Sequence, residues 1–160
     1  MIRVGLGVDV HRLVEGRPCV IGGVRFDHPR GLDGHSDADV LAHAVADAVL
    51  GALREGDIGK LFPDDDPRYK GANSLELLAQ VASLAREKGL RVLDADCVVE
   101  AQAPKLGPAR DEMRRNLADA LGIDEASVGV KATTTERLGY TGREEGIRAT
   151  AVVLLEGAEA

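Results

Sequence analysis

Strand-patterned and helix-patterned segments alternate along this chain, and that alternation restricts it to helices layered on a sheet. Residues 2–9 (IRVGLGVD) and 18–26 (PCVIGGVRF) have strand character; Gly22-Gly23 interrupts the second and predicts a hairpin turn. Residues 27–38, rich in Gly, Asp, His and Ser, are expected to form a mobile loop. An Ala-rich stretch predicts a helix over 38–54, capped by Asp37 or Ser36, with Val40, Leu41, Ala44 and Ala48 facing inward. A second long polar loop is expected over 56–72, and a helix over 75–88, opened by Ser74 and closed at Lys88-Gly89. Residues 91–100 alternate as a strand, a third helix runs from Pro108 to 121 before Gly122, and strands follow at 128–134 and 147–156. The expectation is a single domain over 1–160, with one sheet covered by helices on one face.

Composition narrows the function classes. The chain has 160 residues, 20 Lys+Arg against 27 Asp+Glu, and a formal charge of −7. With no Trp, two Tyr and two Phe, it lacks the basic surface and stacking platforms of a nucleic-acid binder. The same scarcity requires a core of Val, Leu, Ala and Ile. No apolar run reaches the roughly 18 residues of a membrane span, so no membrane partner is expected. The first residues enter a strand pattern without a signal peptide's apolar stretch. Cys19 and Cys97 sit singly among apolar residues, as buried reduced thiols do, which fits a cytoplasmic protein.

Five segments carry candidate chemistry. In Asp9-Val10-His11, a carboxylate and an imidazole two apart on a strand leave the same face. Both are zinc ligands, and His43 on the Ala-rich helix is the best third; the spacing equally suits an Asp that only orients a His. Gly34-His35-Ser36-Asp37-Ala38-Asp39 leads into a helix N-terminus, where free N–H groups can hold phosphate or simply be capped. Lys131-Ala132-Thr133-Thr134-Thr135-Glu136 places hydroxyls and an acid at a strand end, suited to phosphate and magnesium, or to plain strand filler. Ala101-Gln102-Ala103-Pro104-Lys105 follows a strand end, where a Pro-constrained turn can read a base by its backbone groups. In the segment from Gly56 to Asp66, Asp57 can hold sugar hydroxyls, while Asp64-Asp65-Asp66 also reads as a solvated charge cluster.

Together these segments resemble the 2-C-methyl-D-erythritol 2,4-cyclodiphosphate synthases. The likeness spans nearly the whole chain: DVH at 9–11, GGV at 22–24, HSDAD at 35–39, HAVADA at 43–48, GDIGKLFPD at 56–64, AQAPK at 101–105 and KATTTE-x-LG at 131–139. Seven ordered motifs are far more specific than any one.

The resemblance implies a mixed β-sheet with helices on one face, in a homotrimer like the trimeric chorismate mutases, with active sites between subunits. It implies a cytidine diphosphate ester of methylerythritol 2-phosphate as substrate, whose 2-phosphate attacks the β-phosphorus and releases CMP. Asp9, His11 and His43 would hold Zn2+, and Glu136 a Mg2+ or Mn2+ at the diphosphate. His35 and Thr134 would be catalytic. Asp9, His11, His35 and Ser36 would meet the substrate, with Asp57, Ile58, Gly59, Phe62, Asp64 and Asp66 around its hydroxyls. Ala101, Pro104, Lys105 and Leu106 would face the CMP part, and Thr133, Thr134, Thr135 and Glu136 the phosphates. Tyr140 and Arg143 would line a cavity on the threefold axis; Tyr140 replaces the family's Phe there, and Gly107 a larger residue.

Two other readings use the same residues. A metal-dependent phosphohydrolase would direct activated water at a nucleotide diphosphate. A trimeric binding module would hold the metal structurally, but a closed site needs four ligands and only three good ones are evident.

Overall fold

The computed structural model describes residues 1–157, so the last three residues of the expected domain lie outside the described residues. The strands are β1 (Ile2–Glu15), β2 (Cys19–Ile21), β3 (Val24–Phe26), β4 (Arg30–Leu32), β5 (Leu90–Glu100), β6 (Val128–Thr133) and β7 (Gly146–Gly157). The helices are α1 (Val40–Leu53), α2 (Ile58–Leu61), α3 (Ser74–Glu87), α4 (Arg110–Leu121) and α5 (Gly139–Gly142).

Five strands make one sheet in the order β4-β1-β7-β5-β6. It is mixed: β5 and β6 run parallel through the α4 crossover, and every other pairing is antiparallel. β2 and β3 form the separate hairpin predicted at Gly22-Gly23, whose φ angles are +58° and +72°. Helices α1, α3 and α4 cover one face of the sheet. The core is Leu, Val, Ala and Ile with Met113, Cys19 and Cys97, and Phe62 is its one buried aromatic among the described residues.

Strand β1 has two characters because alternate residues face opposite ways. Gly5, Gly7, Asp9, His11 and Leu13 face the helices; Ile2, Val4, Leu6, Val8 and Val10 lie exposed on the other side. Val152 and Leu154 of β7 extend that open apolar face, pairing with Leu6 and Val4.

The two glycines set how closely α1 seats. A Cβ on Gly5 would lie 1.8 Å from the Ala48 carbonyl oxygen, and one on Gly7 would lie 2.0 Å from that of Ala44. The helix therefore rests directly on strand backbone, a contact that only glycine permits.

Five expectations need correction. Strand β1 continues to Glu15, and β4 pairs with its end, so 27–38 is not all loop. α1 is not one-faced: of its 14 residues only His43, Asp47 and Gly51 escape burial, an i, i+4 stripe, because α1 lies between the sheet and α3. Its N-cap is Asp39, not Asp37 or Ser36, because Ala38 is left-handed (φ +56°) and the helix cannot start earlier. Asn73 caps α3, and Ser74 is that helix's first residue. The 56–72 segment also carries α2, capped by Asp57, and a 3₁₀ turn over Pro67–Tyr69, capped by Asp66.

Asp39 is fully buried. Besides capping α1, its carboxylate accepts from the hairpin N–H groups of Gly22 and Gly23 at 2.8 and 2.7 Å. It ties hairpin to helix, and burial pushes its pKa above the ordinary value despite these donors.

Candidate metal and diphosphate site

The same-face geometry of β1 and the seating of α1 converge on three side chains. Asp9 Oδ2 lies 2.8 Å from His11 Nε2 and 3.2 Å from His43 Nδ1, and the two nitrogens are 3.2 Å apart. Donors about 2.0–2.1 Å from a tetrahedral zinc stand about 3.3 Å from each other, so this triangle has nearly the edge lengths of one zinc face. One carboxylate oxygen and two imidazole nitrogens also suit that ion chemically.

Each imidazole has a partner on the ring nitrogen that faces away from Asp9. His11 Nδ1–H donates to the Asp33 carbonyl at 2.7 Å, which leaves Nε2 as the ligand atom. His43 Nε2 is 2.8 Å from Ser74 Oγ and 3.1 Å from Ser36 Oγ, which leaves Nδ1 toward Asp9. Burial raises the Asp9 carboxyl, but hydrogen bonds and charge from His11 and His43 outweigh it and hold it below the usual carboxylate range. For His11, burial is outweighed by the hydrogen bond and charge of Asp9, so its pKa is raised.

A cavity of about 420 Å³ opens beside this trio, lined by Asp9, His11, Gly34, His35, Ser36, His43, Ile58, Gly59, Phe62, Asp64, Tyr69 and Leu77. Of the residues the sequence pointed to here, Asp57 and Asp66 are not on its wall; their carboxylates cap α2 and the turn at Pro67. Asp66 also grips the Arg68 guanidinium at 2.6 Å. Tyr69 and Leu77 were not anticipated. Tyr69 packs edge-on against Phe62 with ring centroids 5.1 Å apart, and no motif of its own marks it.

The 34–37 loop is bound to the segment beyond α2. His35 Nε2–H donates to the Asp66 carbonyl at 2.9 Å, Gly71 N–H to that of His35 at 2.8 Å, and Asp37 N–H to that of Ala72 at 3.0 Å. Arg17 adds a guanidinium bond to the Ser36 carbonyl at 2.9 Å. The expected mobile loop is thus one face of a two-segment wall.

The remaining candidates lie elsewhere. Ala101, Pro104, Lys105, Leu106, Thr133 and Thr134 line a second cavity of about 250 Å³ that shares no residue with the first. Beyond it, the chain turns through Glu136 and Arg137, both left-handed at φ +53° and +63°. Such backbone is costly for residues with a Cβ and concentrates at functional sites. Thr134 Oγ1 accepts the Glu136 N–H at 3.3 Å, which leaves its own proton free to donate. Thr135 Oγ1 pairs with Thr141 Oγ1 at 2.7 Å, holding this turn to α5. Tyr140 is on α5, part exposed, and the Arg143 guanidinium pairs with Glu145 at 2.9 Å.

β6 stands three places from β1 in the sheet, about 14 Å at the usual strand spacing. Within one chain, the threonine–glutamate turn and the Asp-His-His trio stand apart.

The chain is similar to known proteins over its full length. A model of the YgbB family matches residues 2–156. The 2-C-methyl-D-erythritol 2,4-cyclodiphosphate synthase of Geobacillus kaustophilus is 61% identical over 98% of this chain and 99% of its own. Among solved structures, the bifunctional IspDF of Campylobacter jejuni matches with TM-score 0.95 and 46% identity, over 99% of this chain and 43% of that one. Plasmodium falciparum IspF in its CDP complex matches with TM-score 0.86 and 34% identity, over 99% of this chain and 97% of that one. Family model, full-length identity and fold agree, and the chain belongs to the YgbB family of 2-C-methyl-D-erythritol 2,4-cyclodiphosphate synthases.

Proposed function

We propose that this chain converts 4-diphosphocytidyl-2-C-methyl-D-erythritol 2-phosphate into 2-C-methyl-D-erythritol 2,4-cyclodiphosphate and CMP, a step of isoprenoid precursor biosynthesis. An oxygen of the substrate's 2-phosphate forms a bond to the β-phosphorus. The bond from that phosphorus to the bridging oxygen breaks, and its electron pair leaves with CMP. The Asp9-His11-His43 triangle carries this reading, in a chain whose relatives of full-length similarity bear that enzyme's name.

The reaction needs no protein nucleophile, so positioning and charge neutralisation are the enzyme's tasks. Asp9, His11 and His43 would hold Zn2+, and Glu136 a Mg2+ or Mn2+. Bound there, the cations would supply Lewis-acid neutralisation to a substrate that a chain of net charge −7 does not otherwise attract. His35, held by the Asp66 carbonyl at the rim of the 420 Å³ cavity, would meet the diphosphate with Ser36. Ile58, Gly59, Phe62 and Asp64 would enclose the methylerythritol part, while Asp57 and Asp66 shape that wall from behind. Ala101 to Leu106 would seat the cytidine, and Thr133 to Thr135 the phosphates, with Thr134 donating to the oxygens that gain charge.

Two half-sites about 14 Å apart call for a second copy. The open apolar face of β1 and β7 is the surface for it, and a homotrimer closing three such faces would bring one chain's trio to another's threonine turn. Two buried free thiols fit a cytoplasmic location.

Incubation with the cytidine diphosphate substrate, with and without a chelator, tests the proposal. A cyclic diphosphate and CMP, lost on chelation, are expected. A linear phosphate would assign a phosphohydrolase, and bound metal without turnover a binding module.

A further inference from the structure

We propose that Ser74 and Asp37 set the ring of His43 for metal binding, an inference that rests on the zinc assignment above. His43 Nε2 faces two hydroxyls, but they are not equivalent. Ser74 Oγ is the nearer, at 2.8 Å against 3.1 Å for Ser36. The Ser74 hydroxyl also donates to Asp37 Oδ1. Since a carboxylate only accepts, the Ser74 proton points to Asp37, and the oxygen's lone pairs turn to His43. The Ser36 hydroxyl has no carboxylate behind it; its oxygen accepts the Ala38 N–H at 3.1 Å.

Ser36 Oγ also stands 3.4 Å from Ser74 Oγ, whose proton is already given to Asp37, so the direction of the protons along Asp37, Ser74 and His43 follows. Asp37 accepts from Ser74 Oγ–H and Ser74 Oγ accepts from His43 Nε2–H, so Nε2 keeps its proton and Nδ1, on the side of Asp9 and His11, is the nitrogen that a metal would take. This is a carboxylate–hydroxyl–imidazole relay behind a metal ligand, with serine inserted where the carboxylate usually bonds the imidazole directly. Its members are held rigidly. Ser74 is 1% exposed at the first turn of α3, and its own N–H returns to Asp37 Oδ2 at 3.2 Å. The Asp37 N–H bonds the Ala72 carbonyl at 3.0 Å, and Asp37 Oδ1 accepts the Asp39 N–H at 3.1 Å. Ser74 and Asp37 are positioning residues: neither is on the cavity wall.

The experiment uses the full chain loaded with zinc, its affinity read by competition with a chromophoric chelator. The His43 Nε2 proton is followed by NMR of ¹⁵N-histidine-labelled protein. Wild type should bind one zinc per chain and show a slowly exchanging proton on His43 Nε2. Ser74→Ala should weaken zinc about 10–100-fold and speed exchange of that proton. Asp37→Asn, equal in volume, should shift both measurements in the same direction. Activity that Ser74→Ala loses at limiting zinc should return at excess zinc with KM unchanged, an outcome that a substrate contact would not give. Failure of the wild type to bind zinc would overturn the zinc assignment itself. Zinc binding with a wild-type His43 Nε2 that carries no protected proton would overturn this inference alone. So would unchanged zinc affinity and exchange in both variants; should Ser74→Ala not fold, the wild-type proton and Asp37→Asn still decide.

Discussion

A Cβ on Gly7 would lie 2.0 Å from the carbonyl oxygen of Ala44. Ala44 directly follows His43, and two residues beyond Gly7 lies Asp9. The metal triangle thus depends on a strand and a helix lying backbone to backbone. Gly7→Ala should lower the unfolding free energy by about 3 kcal/mol, the upper end for overpacking, because a backbone oxygen has no rotamer with which to yield. Zinc affinity should fall with it. At Gly51 on the same helix, the nearest atom to an added Cβ is 3.7 Å away, so Gly51→Ala should be neutral or stabilise by up to about 1 kcal/mol. Denaturant melts of the two variants check the contrast.

Replacing His43 by Ala leaves two ligands and should abolish bound zinc and turnover. His43 is one of three partly open residues on α1, so the fold should survive. Metal analysis with far-UV circular dichroism is the measurement; zinc at wild-type stoichiometry would remove His43 from the ligand set.

Thr134→Val should cost roughly 10²-fold in kcat, about 3 kcal/mol if the hydroxyl behaves as an oxyanion donor, with KM near normal. Its free proton and exposed position at the end of β6 motivate this expectation. A raised KM with intact kcat would make Thr134 a phosphate anchor only.

Leu6 is 65% exposed in the single chain, at the middle of the open apolar stripe. A charge there, in Leu6→Lys, should prevent assembly and turnover while zinc is still bound, since Asp9, His11 and His43 all belong to one chain. Sedimentation and metal content together test this; an active, assembled Leu6→Lys protein would contradict the choice of this face, and an active monomer would contradict the composite site.

Burial, helped by the charge of Asp39, pushes the Cys19 thiol up to about 11, and burial with the charge of Asp96 pushes Cys97 to about 12. Neither should react with a thiol reagent at pH 8 until the protein unfolds. The sign for stability follows from proton binding. The folded protein keeps both protons at pH values where the unfolded chain, near 8.5, has lost them. Stability is therefore fully present below about pH 8.5 and is lost as pH rises toward 11 and 12. Alkaline melts of a Cys97→Ala variant should show a shallower loss than wild type.

Local pattern made part of this legible. Two-residue periodicity placed Asp9 and His11 on one face, and glycine pairing placed the β2–β3 turn. Non-local effects hid the rest. β4 is three residues long in a Gly- and His-rich stretch, and only its pairing with Leu13 to Glu15 makes it a strand. The HSDAD segment offers three capping side chains, and the left-handed Ala38 decides among them, which no propensity reveals. Ser74 reads as a helix opener; its place against His43, 31 residues away, exists only once α3 packs beside α1.

Strand β1 divides its alternate side chains between a metal-binding row and an apolar row. A slip of one residue against β7 would exchange the two rows completely, turning Asp9 and His11 to the open face and pushing Val8 and Val10 at α1. It would also drive a leucine or valine Cβ into the space that Gly5 and Gly7 leave for Ala44 and Ala48. Misregistered chains would therefore lose the metal triangle, the seat of α1 and the apolar surface in a single error. A one-residue slip has no half-correct form, and the alternation of this strand guards the register against it.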